Sequence, residues 1–74
     1  MSLSALIETI AKALVDEPDK VIVRDLDGNL ELQVSPDDIG KVIGKDGRTA
    51  QAMRALLGAA ALKAGRRVHL DIVD

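Results

Sequence analysis

Residues 41–48 read Lys-Val-Ile-Gly-Lys-Asp-Gly-Arg, and their types and spacing suit one task, the holding of a phosphate chain. Gly44 and Gly47 bracket a two-residue tip. A ribose-phosphate backbone can therefore approach main-chain amides with no Cβ in the way, and the loop can take backbone angles closed to other residues. Lys45 and Arg48 put positive charge at the loop, and Lys41 adds more one helical turn earlier. A helix starting at Gly47 or Arg48 would aim its positive end at the same phosphates. Asp46 is an acid inside this loop. Salt screens its repulsion at an exposed site, and Asp-Gly is a favourable turn dipeptide, so Asp46 is read as loop geometry.

Bond-breaking chemistry finds no support in the same sequence. Gly40 and Gly44 precede Lys45 at a spacing one residue short of the nucleotide loop G-x-x-x-x-G-K, and no Ser or Thr follows the lysine. His69 is the single imidazole, on the outward side of an alternating segment with no carboxylate pair beside it. Asp37 and Asp38 suit the start of a helix better than a catalytic dyad. With no cysteine there is neither a disulfide nor a thiolate metal site. Catalysis, cofactor and metal are all unexpected.

The net charge of −2 hides a segregation. Between Gly40 and Arg67 stand Lys41, Lys45, Arg48, Arg54, Lys63, Arg66 and Arg67 against the single acid Asp46, a local +6; the remaining sequence holds three basic and eleven acidic residues, or −8. Such a layout makes one basic side on an acidic body, which binds a polyanion locally without indiscriminate attachment. The plainer alternative is a set of solvated helix positions. No Phe, Tyr or Trp is present, so the stacking of bases on aromatic rings is closed to this chain. Aliphatic side chains, main chain and arginine would have to meet the bases. The same lack limits the core of a 74-residue chain, and domains of this size are marginal unless idealised or self-associated.

Six elements would position the loop. Leu3, Leu6, Ile7, Ile10, Ala11 and Leu14 recur at three and four, which predicts a first helix ending before Pro18. Val21–Arg24 and Leu30–Val34 read as antiparallel strands across an Asp27-Gly28-Asn29 turn. Ser35-Pro36-Asp37-Asp38 announces a short helix, with a hydroxyl cap, Pro at the first position and acids facing the dipole; Gly44 breaks it. Thr49 to Ala64 forms the longest helix, stopped by Gly65. Val68, Leu70 and Ile72 alternate with Arg67, His69 and Asp71 in a closing strand.

Ile43-Gly44-Lys45-Asp46-Gly47-Arg48-Thr49, set between a short and a long helix, resembles the signature of KH domains, and the order αββααβ resembles their type II form. The resemblance covers residues 1–74 as a single KH domain. The chain is further similar to the bacterial KhpA family in its length, in the run Ala52-Met53-Arg54-Ala55-Leu56-Leu57 and in the closing Arg67-Val68-His69-Leu70-Asp71-Ile72. The resemblance implies an α+β fold, a three-stranded sheet packed on one face by three helices. It also implies single-stranded RNA as the partner, about four nucleotides of it clamped by the loop, in a chaperone or post-transcriptional regulator linked to cell elongation and envelope growth. Lys41, Ile43, Gly44, Lys45, Asp46, Gly47, Arg48, Ala50 and Met53 are the RNA-binding candidates. Bases would lie over Ile43, Ala50, Met53 and the edge of the second strand near Leu32 and Val34. Ala50 is small for its place in the pattern, which implies a shallow, permissive groove.

The resemblance also implies a homodimer, and a heteromer with a larger KH-containing protein of the Jag or KhpB type. Leu56 and Leu57 point about 100° apart on a helix, so a single core stripe does not readily bury both. Ala52, Leu56, Ala59 and Lys63 are the expected self-complementary face; the alternative is a broad core face that covers both leucines. No stretch approaches the roughly 20 apolar residues of a membrane span, so no membrane insertion is expected and the cytoplasm is the default. A second reading stays open, in which the fold serves as a dimerisation scaffold and binds little RNA.

Overall fold

The computed structural model describes residues 2–73, so the two ends of the expected domain, residues 1 and 74, lie outside the described residues. The elements run α1 (Leu3–Leu14), β1 (Ile22–Leu26), β2 (Asn29–Gln33), α2 (Ile39–Ile43), α3 (Arg48–Lys63) and β3 (His69–Val73). Short 3-10 turns at Pro18–Lys20, Pro36–Asp38 and Lys45–Gly47 join them. This is the αββααβ arrangement of a type II KH fold.

Local chemistry accounts for most boundaries. The Ser2 hydroxyl accepts from the Ala5 amide and caps α1. Asp27 and Gly28 both hold positive φ, 57° and 95°, the two-residue turn that matches the twist of a hairpin. At the end of α3, Gly65 takes φ 70° while its amide donates to Leu62 O and the Arg66 amide to Ala61 O, which satisfies the last carbonyls and releases the chain toward β3. The start of α2 departs from expectation. Pro36–Asp38 closes a single 3-10 turn, Ser35 makes no side-chain cap, and the α-helical part begins at Ile39.

The sheet order is β1-β2-β3, antiparallel between β1 and β2 and parallel between β2 and β3. Leu32 pairs with Val23 on one side and Ile72 on the other. The three helices cover one face. Ile7, Ala11, Leu30, Leu32, Val42, Met53, Leu57 and Leu70 form the centre of the core, each less than 5% exposed. Burial of each large aliphatic contributes about 1.5–3 kcal/mol, and with no Phe, Tyr or Trp in the chain these side chains supply nearly all of it. The outer sheet face carries Ile22, Arg24, Gln33, His69 and Asp71 exposed.

Candidate nucleic-acid interface

The loop between α2 and α3 is built by two glycines with different duties. Gly44 donates its amide to Gly40 O at 2.9 Å, ends α2, and takes φ 76°. A Cβ on Gly44 would lie 2.7 Å from Thr49 Cβ and 2.9 Å from the Thr49 amide nitrogen, so both the angle and the contact require glycine. Gly47 has open space around it and is required by its left-handed backbone alone, φ 74°. Asp46, at φ 56° and ψ 25°, occupies the left-handed region too, which Asp tolerates better than most residues. That conformation agrees with its reading as loop geometry.

The backbone within the loop is partly spent. The Gly47 amide donates to Gly44 O at 3.1 Å and the Arg48 amide to Lys45 O. Among the described residues this leaves the Lys45 and Asp46 amides, at the tip, without a backbone partner. The side chains of Lys45, Asp46 and Arg48 are exposed around them, and α3 starts directly behind. Two amides, two cations and a helix N-terminus are therefore gathered within the segment 45–48.

Four expectations need correction. Lys41 is engaged elsewhere: its Nζ lies 2.8 Å from Asp16 and 3.5 Å from Asp38, and the hydrogen bond that it donates to Asp16 raises its pKa above the usual lysine value. Ala50 and Met53 are 3% and 1% exposed, so they lie beneath the surface where bases were expected and support it from inside. The helical stripe that buries Leu57 and Ala61 turns both inward as well. The second strand offers no edge, since β2 is the centre of the sheet and Leu32 and Val34 are buried. Only Ile43, half-buried next to Gly44, remains of the expected aliphatic floor.

The free edge near α3 belongs to β3. A cleft of about 590 Å³ runs between the two, lined by Arg54 and Leu57 of α3, by residues 68–71, and by Asn29. The Arg54 Nε and Nη2 donate to Leu70 O at 3.3 and 3.2 Å. Arg54 entered the sequence reading as charge alone, because the pairing of β3 that gives it a strand edge cannot be read from local pattern.

On the opposite side of α3, Ala52, Leu56, Ala59 and Lys63 are all exposed along one line. Leu56 is 55% exposed and Leu57 2%, so the broad core face that would bury both leucines does not form. Leu62 is 83% exposed and was missed, although its helical position, about 140° from Leu57, already turns it away from the core face. Among the described residues no cluster is placed to hold a metal ion, and no helix is long and apolar enough to cross a membrane.

The family profile described as KhpA/KhpB, KH domain, matches residues 4–72. An RNA-binding protein KhpA of Halalkalibacterium halodurans is 55% identical over 97% of this chain and all of that protein. Proteins of the same name from Caldanaerobacter subterraneus and Streptomyces coelicolor are 56% and 47% identical, over 92% and 97% of this chain and 96% and 92% of theirs.

Proposed function

This chain belongs to the KhpA/KhpB KH-domain family, and from that membership we propose that it is an RNA-binding protein that grips single-stranded RNA through the Gly44–Arg48 loop. The observation that carries the reading is the loop tip. Among the described residues the Lys45 and Asp46 amides have no backbone partner, Lys45 and Arg48 are exposed beside them, and Thr49 leaves no room for a side chain at Gly44. Phosphates held there position the strand. Its bases then meet Ile43 and the cleft between α3 and β3 in place of the floor expected at Ala50 and Met53. The expected footprint is about four nucleotides.

With two cations at the loop and an acid between them, one site binds weakly. Pairing through Ala52, Leu56 and Ala59 would present two loops to one strand and raise the avidity. The wider role is that of an RNA chaperone or regulator in the cytoplasm, connected with cell elongation and envelope growth and working with itself or a larger KH-containing partner. The exposed apolar face of α3 favours a second reading, in which assembly is the main task and RNA binding is slight.

Lys45→Asp separates the two readings. It places two acids at the loop tip and touches neither glycine, whereas any substitution at Gly44 would collide with Thr49. In a gel-shift or anisotropy assay, the wild type should bind single-stranded RNA in a salt-sensitive way and Lys45→Asp should bind at least about tenfold more weakly, with unchanged melting. Wild-type protein that binds no RNA would leave the scaffold reading in place.

A further inference from the structure

Lys41 stands three residues before Gly44, and the Gly44 amide donates to Gly40 O at 2.9 Å, so the last turn of α2 runs unbroken into the loop. Residues three apart share one face of a helix. The lysine carries its ammonium on a flexible four-carbon stem, comparable in length to one helical turn of about 5.4 Å, which brings phosphates held at the loop within its range. Its charge is committed instead to the Asp16 carboxylate, at 2.8 Å.

Exposed ion pairs are ordinarily weak, because two mobile side chains must be ordered to form them. Here the fold removes part of that cost. The buried Asp38 carboxylate accepts from the Asp16 amide at 3.3 Å and the Glu17 amide at 3.1 Å, which pins the chain leaving α1 against the start of α2. The main chain that carries Asp16 is thus fixed beside Lys41, and less conformational freedom remains to oppose the pair. Asp38 is the lesser partner of Lys41, since it lies farther off, at 3.5 Å, and both its oxygens already accept from amides. The hydrogen bond to Asp16 is also the first cause of the raised Lys41 pKa. Building on the RNA reading above, we infer that Asp16 is a positioning residue that limits RNA affinity: its carboxylate takes the place on Lys41 that an RNA phosphate would fill.

The loop then works with Lys45 and Arg48 while a third cation, one turn away, is held by the protein's own acid. Carboxylate and phosphate compete for the same ammonium donors, and the carboxylate competes at the effective concentration of an intramolecular group. The side chains of Asp16 and Lys41 are 75% and 44% exposed, and Asp38 keeps its two amides when Lys41 leaves. Exchange of partners therefore strands no buried charge without hydrogen bonds, and removal of the Asp16 charge alone is enough to free the lysine.

The test titrates a short oligouridine RNA filling one site, by fluorescence anisotropy across a salt series, against wild type and Asp16→Asn, each also in a Lys41→Met background. Asp16→Asn keeps the amide from which Asp38 accepts and removes the competing charge. It should bind roughly threefold tighter than wild type at low salt, and the slope of log K against log salt should steepen from about −1.4 to about −2.1, one further phosphate contact. A merely structural role of Asp16 would not steepen the slope. In the Lys41→Met background the same substitution should bring no gain. Asp19→Asn removes an exposed acid of the same segment that forms no ion pair among the described residues, and controls for net charge. An unchanged affinity and slope in Asp16→Asn, a gain equalled by Asp19→Asn, or a gain that survives Lys41→Met would overturn the inference. If binding is sensitive to Lys45→Asp, each of these results leaves the loop reading standing; a wild type that binds no RNA overturns both. The slopes of wild type, Asp16→Asn and Asp19→Asn decide even where Lys41→Met fails to fold.

Discussion

Asp38 sits 1% exposed with its carboxylate oxygens on the Asp16 amide at 3.3 Å and the Glu17 amide at 3.1 Å, and with Lys41 at 3.5 Å. Burial opposes its charge, but the two amides and Lys41 outweigh that opposition and hold its pKa below the ordinary 3.8. A carboxylate whose folded pKa is depressed adds stability above its unfolded pKa and loses it as pH falls through the folded value. Asp38→Asn should therefore lower the urea midpoint at about pH 7, and the gap to wild type should close below about pH 4. The same change at exposed Asp37 should move the midpoint little, and a gap that does not vary with pH would contradict this account. The segment Ser35-Pro36-Asp37-Asp38 was legible as the start of a helix. Its real partners lie 21 and 22 residues upstream, beyond the reach of local pattern.

At the scale of an element, α3 divides its residues among three neighbours. Met53, Leu57 and Ala61 enter the core, Arg54 turns to the β3 edge, and Ala52, Leu56 and Ala59 face outward. The angular separation of Leu56 and Leu57 was readable because a helix turns about 100° per residue. Which of the two would be left outside depended on where the sheet lies. Leu56→Asp should convert a dimer to a monomer in sedimentation velocity with little change in far-UV circular dichroism, since the side chain is already half in solvent. A dimer that persists would place the contact elsewhere. The strands divide in the same manner. The β1–β2 hairpin was legible through Asp27-Gly28, whereas β3 joins β2 in parallel, a crossover pairing that no turn sequence announces.

Across the whole molecule, the basic segment of seven residues is less available than its count implies. Lys41 is paired with Asp16 and Asp38, Arg66 with Asp25, and Arg54 with Leu70 O. The Arg66 contact pins the α3–β3 connection to the β1–β2 hairpin, where the Gly28 amide and then Arg66 lower the pKa of Asp25. Lys45 and Arg48 remain at the loop. For a short RNA filling one site, the slope of log K against log salt should then be about −1.4, the value for two phosphate contacts by a single strand. A slope near about −5 would mean that the entire segment is engaged.

The sequence by itself determined the loop, the order of elements and the fact that one of two adjacent leucines would lack a core, because glycine angles, helical period and strand alternation are local properties. The tertiary structure alone decided what stands beside the loop. Burial removed Ala50 and Met53 from the surface, ion pairing engaged Lys41 elsewhere, and the parallel pairing of β3 moved the free strand edge from β2 to a position against Arg54. Each of these depends on residues distant in sequence meeting in space, and contact at that range leaves no periodic trace in the chain.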